Sequence, residues 1–84
     1  MGALSAMQSI GKEIERKLNG VGIFTPEELT DSGSKAAFLK LKTKYPNVCL
    51  VHLYTLQAAI DDVDMNRLPE NVKIELKTYS HSLK

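Results

Sequence analysis

The stretch from Asn47 to Asp61, NVCLVHLYTLQAAID, contains the longest nearly apolar run in the chain, and the predicted fold is built around it. It is apolar enough to be buried but shorter than the roughly 20 residues that cross a bilayer, so it predicts a core helix from Val48 to about Asp61 with Asn47 as its N-cap. A helix that is apolar nearly all round is usually surrounded by other helices, and we place it at the centre of the domain. The inward stripe that its spacing predicts comprises Cys49, Leu53, Leu56 and Ile60, widened by Leu50, Val51 and Tyr54.

Helix signals continue on both sides of this stretch. Before it, Thr25-Pro26-Glu27-Glu28 is a helix start with a capping box, and predicts a short helix to about Asp31. Gly33-Ser34 then predicts a break and a second helix from Lys35 to Lys44, ended by Pro46, with Phe38 and Leu41 facing inward. After it, Leu68-Pro69-Glu70 starts a last helix whose inward stripe is Leu68, Val72, Leu76, Tyr79 and Leu83.

The N-terminal part predicts two further helical stretches. One lies near Leu4 to Gln8, and the other runs from Lys12 to Asn19, with Ile14 and Leu18 on one face. No segment shows the period-two alternation of a strand. The sequence therefore predicts an all-α fold, a compact bundle of about five short helices.

Composition limits the function classes. The chain has 84 residues, 43% of them hydrophobic, a net charge of +1 and a mean hydropathy of −0.19. These values predict one small domain over residues 1–84, and they are typical neither of a membrane span nor of a disordered chain. A single cysteine excludes an internal disulfide, and no signal peptide is recognisable, so we expect a cytoplasmic protein.

The near-neutral total conceals a segmental charge pattern. Residues 1–24 carry +1, residues 25–33 carry −3, residues 34–45 carry +4, residues 46–66 carry −3 and residues 67–84 carry +2. The basic segment offers phosphate or an acidic partner four candidate contacts, although the simpler and favoured interpretation is an ordinary solvated helix face. The four are Lys35, Lys40, Lys42 and Lys44.

A glycine turn gives the second group of candidate contacts. Ser9-Ile10-Gly11-Lys12 resembles the turn of helix-hairpin-helix modules, with Ser9 where the first glycine is usual. Backbone amides at such a turn can hold a phosphate, whose charge Lys12, Arg16 and Lys17 lie near enough to meet, and the candidate contacts are Ser9, Gly11, Lys12 and Arg16. Gly20-Val21-Gly22 is a second turn of this type, and for both turns the favoured interpretation is a simple helix connector.

No catalytic, cofactor or metal site is predicted. Cys49 and His52 are three residues apart on the central helix, but the apolar stripe around Cys49 favours a small core residue over a nucleophile, and makes His52 a boundary residue. The sequence contains no metal-ligand spacing, P-loop, dinucleotide fingerprint or nucleophile elbow. We therefore expect neither an enzyme nor a small-molecule substrate.

Several motifs follow one another in a distinctive order and spacing. They are Ser9-Ile10-Gly11, Gly22-Ile23-x-Thr25-x-x-x-Leu29, Gly33, Asn47-Val48-x-Leu50-x-x-Leu53-Tyr54-x-Leu56-x-x-Ala59-Ile60 and Leu68-Pro69-x-x-x-Lys73-x-Glu75-Leu76. Their order and spacing resemble the C-terminal domain of TfoX/Sxy-type competence regulators, over about residues 4–77. The resemblance implies an all-α domain related to helix-hairpin-helix and SAM-like folds, and a bacterial role in regulating genes for DNA uptake.

Two functional hypotheses follow. The first is a non-enzymatic regulatory module that binds a protein partner, either a regulator or a second copy of itself, since segregated charges on a small domain suit a homodimer. The alternative is a helix-hairpin-helix module that binds DNA weakly and without sequence preference. The segmental charge pattern favours the first, with no membrane partner.

Overall fold

Four α-helices follow one another along the chain in the computed structural model, which describes Leu4, Met7 and residues 10–83. They are α1 (Lys12–Gly20), α2 (Pro26–Lys44), α3 (Leu50–Asp61) and α4 (Glu70–Ser82), and a short 3-10 turn (Met65–Arg67) precedes α4. No strand occurs in these residues, so the predicted all-α class is confirmed.

Helix α2 joins the two helices that the sequence predicted on either side of Gly33. Its start is the predicted capping box: the Thr25 hydroxyl accepts from the Glu28 amide at 3.1 Å, and the Glu28 carboxylate accepts from the Thr25 amide at 3.1 Å. Gly33 has φ +84° and ψ 157°, non-helical values that glycine adopts without strain, so the predicted break is present as a kink between two helical segments. Beyond the kink the buried Ser34 hydroxyl donates to Gln57 Oε1 at 2.5 Å and ties α2 to α3.

Helix α3 is the centre of the bundle, as predicted, since it packs against α2, the 3-10 turn and α4. Leu53 and Leu56 are fully buried, whereas Ile60 is half-buried and Val51 is 54% exposed. The stripe that the spacing predicts therefore holds in the middle of the helix and weakens at its ends.

Two predictions about the start of α3 are wrong. The helix begins at Leu50 with Cys49 at the N-cap, so Asn47 lies too early to cap it and is exposed. Cys49 is also exposed, not a core residue. Its backbone is still extended, with φ −127° and ψ −179°, so it lies outside the helical stripe, while Val48 is buried.

The core consists of one cluster to which every α-helix contributes. Phe38 and Leu41 face inward as predicted, with 0% and 1% of their surface exposed. The stripe of α4 is confirmed as well, with Leu76 buried and Val72, Tyr79 and Leu83 packed partly buried against the cluster. Other fully buried members are Leu4, Leu18, Leu29, Ala37, Leu53 and Leu56.

Helices α1 and α3 end in the same hydrogen-bonding pattern. After α1, the amide of Ile23 donates to Leu18 O at 2.9 Å and that of Gly22 to Asn19 O at 3.1 Å, with Gly22 at φ +89°. This is a Schellman motif, in which one left-handed residue lets the amides turn back onto the last carbonyls. Gly20-Val21-Gly22 is therefore a helix connector.

The end of α3 repeats the motif without a glycine. The Val63 amide donates to Ala58 O at 3.0 Å and the Asp62 amide to Ala59 O at 3.2 Å. Asp62 takes the left-handed position, with φ 57° and ψ 45°. A side chain in this conformation costs about 1 kcal/mol relative to glycine. Among residues 10–83, Asp62 is the one non-glycine residue with positive φ.

The predicted helix near Leu4 to Gln8 falls mostly outside the described residues. Leu4 is fully buried, and Met7 packs partly buried against the core cluster. None of the four α-helices is long and apolar enough to cross a membrane.

Candidate interaction surface

The turn before α1 is the first place where the sequence predicts contacts. Ser9 lies outside the described residues. Gly11 is the exposed N-cap of α1 and supplies no capping side chain, and Lys12 beside it is exposed. Two acidic residues, Glu13 and Glu15, occupy the first turn, where negative charge complements the helix dipole. A phosphate at this turn would meet those carboxylates as well as the backbone amides.

Arg16, the other candidate on α1, is committed to a neighbour. Its guanidinium lies 2.7 Å from the Glu13 carboxylate, one turn earlier, and both side chains are largely exposed. Exposed pairs of this kind are weak, so Arg16 remains accessible to a partner that offers a stronger contact.

The four candidate lysines of α2 do not form one surface. Lys35 and Lys42 are two turns apart on one side of the helix, whereas Lys40 and Lys44 are one turn apart on another. The Lys35 ammonium pairs with Glu75 of α4 at 2.6 Å, and that of Lys42 donates to the carbonyl of Val48 at 3.2 Å. Both ammonium groups are therefore already bound to acceptors within the molecule.

The other two lysines of α2 differ from each other. The Lys44 ammonium donates to the carbonyl of Gly20 at 2.8 Å, and so connects the ends of α1 and α2. Lys40 is exposed and makes no hydrogen bond or ion pair within the described part of the chain. The predicted phosphate or partner contacts of these lysines remain predictions, but the structure places them at separate sites.

A basic corner, formed by Lys17, Lys44, Tyr45 and His52, lies where α1 and α2 end and α3 begins. The ammonium groups of Lys17 and Lys44 lie 5.9 and 5.8 Å from the centre of the Tyr45 ring, within range of a cation–π contact. The Tyr45 hydroxyl occupies the position that a Cβ on Gly20 would fill, so glycine at that position allows the ring to lie against α1. Residues from three helix ends thus build one positively charged surface.

His52 contributes to this corner as a neutral imidazole. Its Nδ1 accepts from the backbone amide of Cys49 at 3.2 Å, and the Cys49 thiol lies 3.5 Å from the same atom. Partial burial, and secondarily the positive charge of Lys17, lower the pKa of His52 below its ordinary value of 6.5. The hydrogen bond requires an unprotonated Nδ1, so geometry and electrostatics favour the same state.

An acidic loop, residues 61–64, lies at the other end of α3. It contains Asp61, Asp62 and Asp64, all exposed. The Asp61 carboxylate accepts from the side-chain amide of Gln57 at 3.0 Å. The Asp64 carboxylate caps the 3-10 turn by accepting from the backbone amide of Asn66 at 2.9 Å. An open depression beside the loop is lined by Asp62, Val63, Asp64 and Arg67.

The described residues contain no group of three or more histidine, cysteine or acidic side chains placed to hold a metal ion. Asp61 and Asp64 of the acidic loop instead make local hydrogen bonds at a helix end and a turn. The sequence prediction of a half-buried boundary position for His52 is confirmed.

Sequence reasoning missed the basic corner because its members are far apart in the chain. Lys17 and Tyr45 are 28 positions apart, and their contact depends on how α1 and α2 cross. One local signal was present: lysine in the last turn of both α1 and α2 complements the helix dipole, and it predicts cations wherever those two helix ends meet.

Comparison with known proteins identifies the family. The family model of the TfoX C-terminal domain matches residues 1–79. Two crystal structures of Listeria monocytogenes proteins are similar. One, an uncharacterised protein in a triclinic form, is 44% identical with a TM-score of 0.94, covering 95% of this chain and 91% of the other. The second, a protein of unknown function in a tetragonal form, is 42% identical with a TM-score of 0.93, covering 95% and 99%. No curated protein matches the chain.

The chain belongs to the TfoX C-terminal domain family, as its motifs indicated. The family is regulatory and non-catalytic, and membership associates the chain with the control of competence. The two Listeria structures extend the same fold to proteins with fewer than half of their residues identical to this one.

Proposed function

We propose that this protein is a non-enzymatic regulatory module that acts in the control of competence and DNA uptake through protein–protein contacts. Family membership supports the regulatory role. The partner is a regulator or a second copy of the chain, and the site of action is the cytoplasm.

The basic residues are dispersed over the surface, and this dispersal favours a protein over DNA as the partner. Non-specific DNA binding depends on a row of cations that neutralises successive phosphates. Here Lys35 and Lys42 make contacts to α4 and to the start of α3, and they lie on a different side of α2 from Lys40 and Lys44. Lys44 of the basic corner belongs to the +4 segment that lies between two acidic segments, and this alternation favours a patterned surface for a protein.

Exposed apolar side chains also support a protein partner. Four large ones are about half exposed, and burying them gives a partner protein a favourable hydrophobic contribution that a phosphate backbone does not offer. They are Phe24, Leu39, Val51 and Ile74.

The regulatory role is tested in cells that lack the protein. Transcripts of DNA-uptake genes and the frequency of transformation should both change, and the wild-type gene should restore them. A version carrying Phe24→Ser and Ile74→Ser should fail to restore them while remaining folded by circular dichroism. Unchanged transcripts in the deletion strain would contradict the proposal.

Weak sequence-independent DNA binding remains the second candidate. It is tested by titrating labelled duplex with the protein at low and at moderate salt. The protein-binding proposal expects no measurable complex at low salt, whereas a complex that weakens steeply with salt would favour the DNA-binding alternative.

A further inference from the structure

Two surfaces of opposite charge lie at the two ends of α3. The basic corner surrounds its N-terminal end and the acidic loop follows its C-terminal end. A helix of 12 residues is about 18 Å long, so the two surfaces are too far apart to pair within one molecule. Each is therefore available to a second molecule.

The charge of the basic corner is not neutralised within the protein. The two ion pairs found among the described residues, Arg16–Glu13 and Lys35–Glu75, involve neither Lys17 nor Lys44. The Lys44 ammonium donates to the neutral carbonyl of Gly20, and both ammonium groups lie over the Tyr45 ring, so neither positive charge is matched by a carboxylate in the described part of the chain. That Lys17 lowers the pKa of His52 shows that its field reaches the start of α3.

The acidic loop is also unpaired, and its charge opposes the local helix. None of its three aspartates forms an ion pair with a cation among residues 10–83. The C-terminal end of a helix favours cations, so carboxylates there are unfavourable for the isolated chain. Asp62 in addition holds a left-handed conformation that glycine adopts more easily, and makes no side-chain hydrogen bond in the described part of the chain. A complementary partner would remove the electrostatic penalty.

We propose that the partner of the interaction module is a second copy of this chain, with the basic corner of each copy against the acidic loop of the other. The inference rests on the proposed protein-binding function and specifies its partner. A two-fold axis that sets the two α3 helices antiparallel makes both contacts at once, as an isologous dimer requires. The open depression beside Asp62 and Asp64, which Val63 and the cationic Arg67 also line, leaves room for a lysine side chain next to the two carboxylates.

A second copy fits these surfaces better than a nucleic acid does. The corner presents two cations beside one aromatic ring, which matches a few carboxylates rather than a continuous row of phosphates. The acidic loop on the same molecule would repel a polyanion. Exposed ion pairs contribute little individually, so we expect a weak dimer with a dissociation constant between roughly 10 µM and 1 mM, weakened further by salt.

Sedimentation equilibrium of the whole chain and of charge-reversed variants tests this pairing. The corner variant carries Lys17→Glu and Lys44→Glu, and the loop variant carries Asp61→Lys and Asp62→Lys. A control variant carries Lys73→Glu and Lys77→Glu, which make the same charge change as the corner variant at positions on α4 outside both surfaces. Circular dichroism confirms that each variant is folded, and having one variant on each surface keeps the test valid if one of them fails to fold.

The expected result is a salt-sensitive dimer for the wild type and the control, and at least about tenfold weaker association for each reversed variant. An equimolar mixture of the corner and loop variants should associate more strongly than either alone, because the reversed charges complement each other. A wild type that stays monomeric at about 1 mM in low salt would overturn the inference. So would reversed variants that associate like the control.

Failure here is distinguishable from failure of the proposed function. A monomeric wild type that still controls DNA-uptake transcripts would overturn self-pairing only, and would assign the partner role to another protein. A monomer that binds labelled duplex, and loses that binding in the corner variant, would overturn self-pairing and assign the corner to nucleic acid.

Discussion

Helices α2 and α3 pack against each other but place charge at their ends in opposite ways. Helix α2 has Glu27 and Glu28 in its first turn and Lys42 and Lys44 in its last, as the helix dipole favours. Helix α3 has no acidic residue in its first turn and no basic residue in its last. Lysines from α1 and α2 surround its start, and aspartates follow its end.

This difference in end charges indicates that different forces specify the two helices. Capping, dipole and proline signals all encode α2 locally. Burial encodes α3, which has five buried residues within 12 and contacts three other elements. Because packing supplies its stability, the ends of α3 can carry charges that would destabilise an isolated helix. We attribute those charges to binding.

Removing the shared packing should have the largest effect on both helices. Phe38→Ala leaves a cavity in the core between α2 and α3, and should lower the free energy of unfolding by about 3–5 kcal/mol in urea titrations. Leu39→Ala changes the adjacent side chain, which is 45% exposed, and should cost less than about 1 kcal/mol. Equal losses in the two variants would contradict the position of the core.

The two Schellman motifs offer a matched comparison of helix ends. Gly22→Ala puts a side chain in the left-handed position after α1, and should lower the free energy of unfolding by about 1–2 kcal/mol. Asp62→Gly makes the reverse change after α3 and should raise it by about 1 kcal/mol, since relief of strain exceeds the added entropy of the unfolded chain. Thermal and urea unfolding measure both. A destabilised Asp62→Gly would mean that the carboxylate supports the fold.

The N-terminal ends of α2 and α3 should respond differently to loss of the capping side chain. Thr25→Ala removes the acceptor for the Glu28 amide and should cost about 1 kcal/mol of unfolding free energy. Cys49→Ala keeps the bond between the Cys49 amide and His52 and should change stability by no more than about 0.5 kcal/mol. Comparable costs would show that the thiol itself caps α3.

The smallest expected effect is a pH dependence at the start of α3. The folded-state pKa of His52 is below its ordinary value of 6.5, so the unfolded chain takes up this proton first as the pH falls. The contribution of neutral His52 to stability is therefore fully present above about pH 6.5 and is lost below it. Urea unfolding from pH 8 to pH 5 should show a smaller decline for His52→Gln than for the wild type. Identical profiles would contradict the role of the neutral imidazole.

Local signals predicted most of the fold. The capping box at Thr25, the break at Gly33 and the stripe of α4 all depend on residues close together in the sequence, and the structure contains each of them. The start of α3 was placed too early because Asn47 is a better capping residue by type than Cys49, and the type alone does not show where the chain turns into the core.

The candidate surfaces were less predictable because they depend on tertiary contacts. The +4 segment is correct as a count, but the structure distributes its lysines among α4, the start of α3 and the end of α1. Tyr45 joins Lys17 to Lys44 only after α1 and α2 have packed. The acidic loop was visible in the sequence, whereas its opposition to the basic corner across α3 was not.

If the two ends of α3 meet in a pair of molecules, isotope-mixed cross-linking should detect the contact between the basic corner of one and the acidic loop of the other. Unlabelled and ¹⁵N-labelled chains are mixed at low salt, and a zero-length carbodiimide joins amines to carboxylates that are in contact. The proposed pairing of two copies predicts mixed-isotope peptides that link Lys17 or Lys44 to the acidic loop. Cross-links confined to single-isotope pairs, or mixed pairs that join other surfaces, would contradict it.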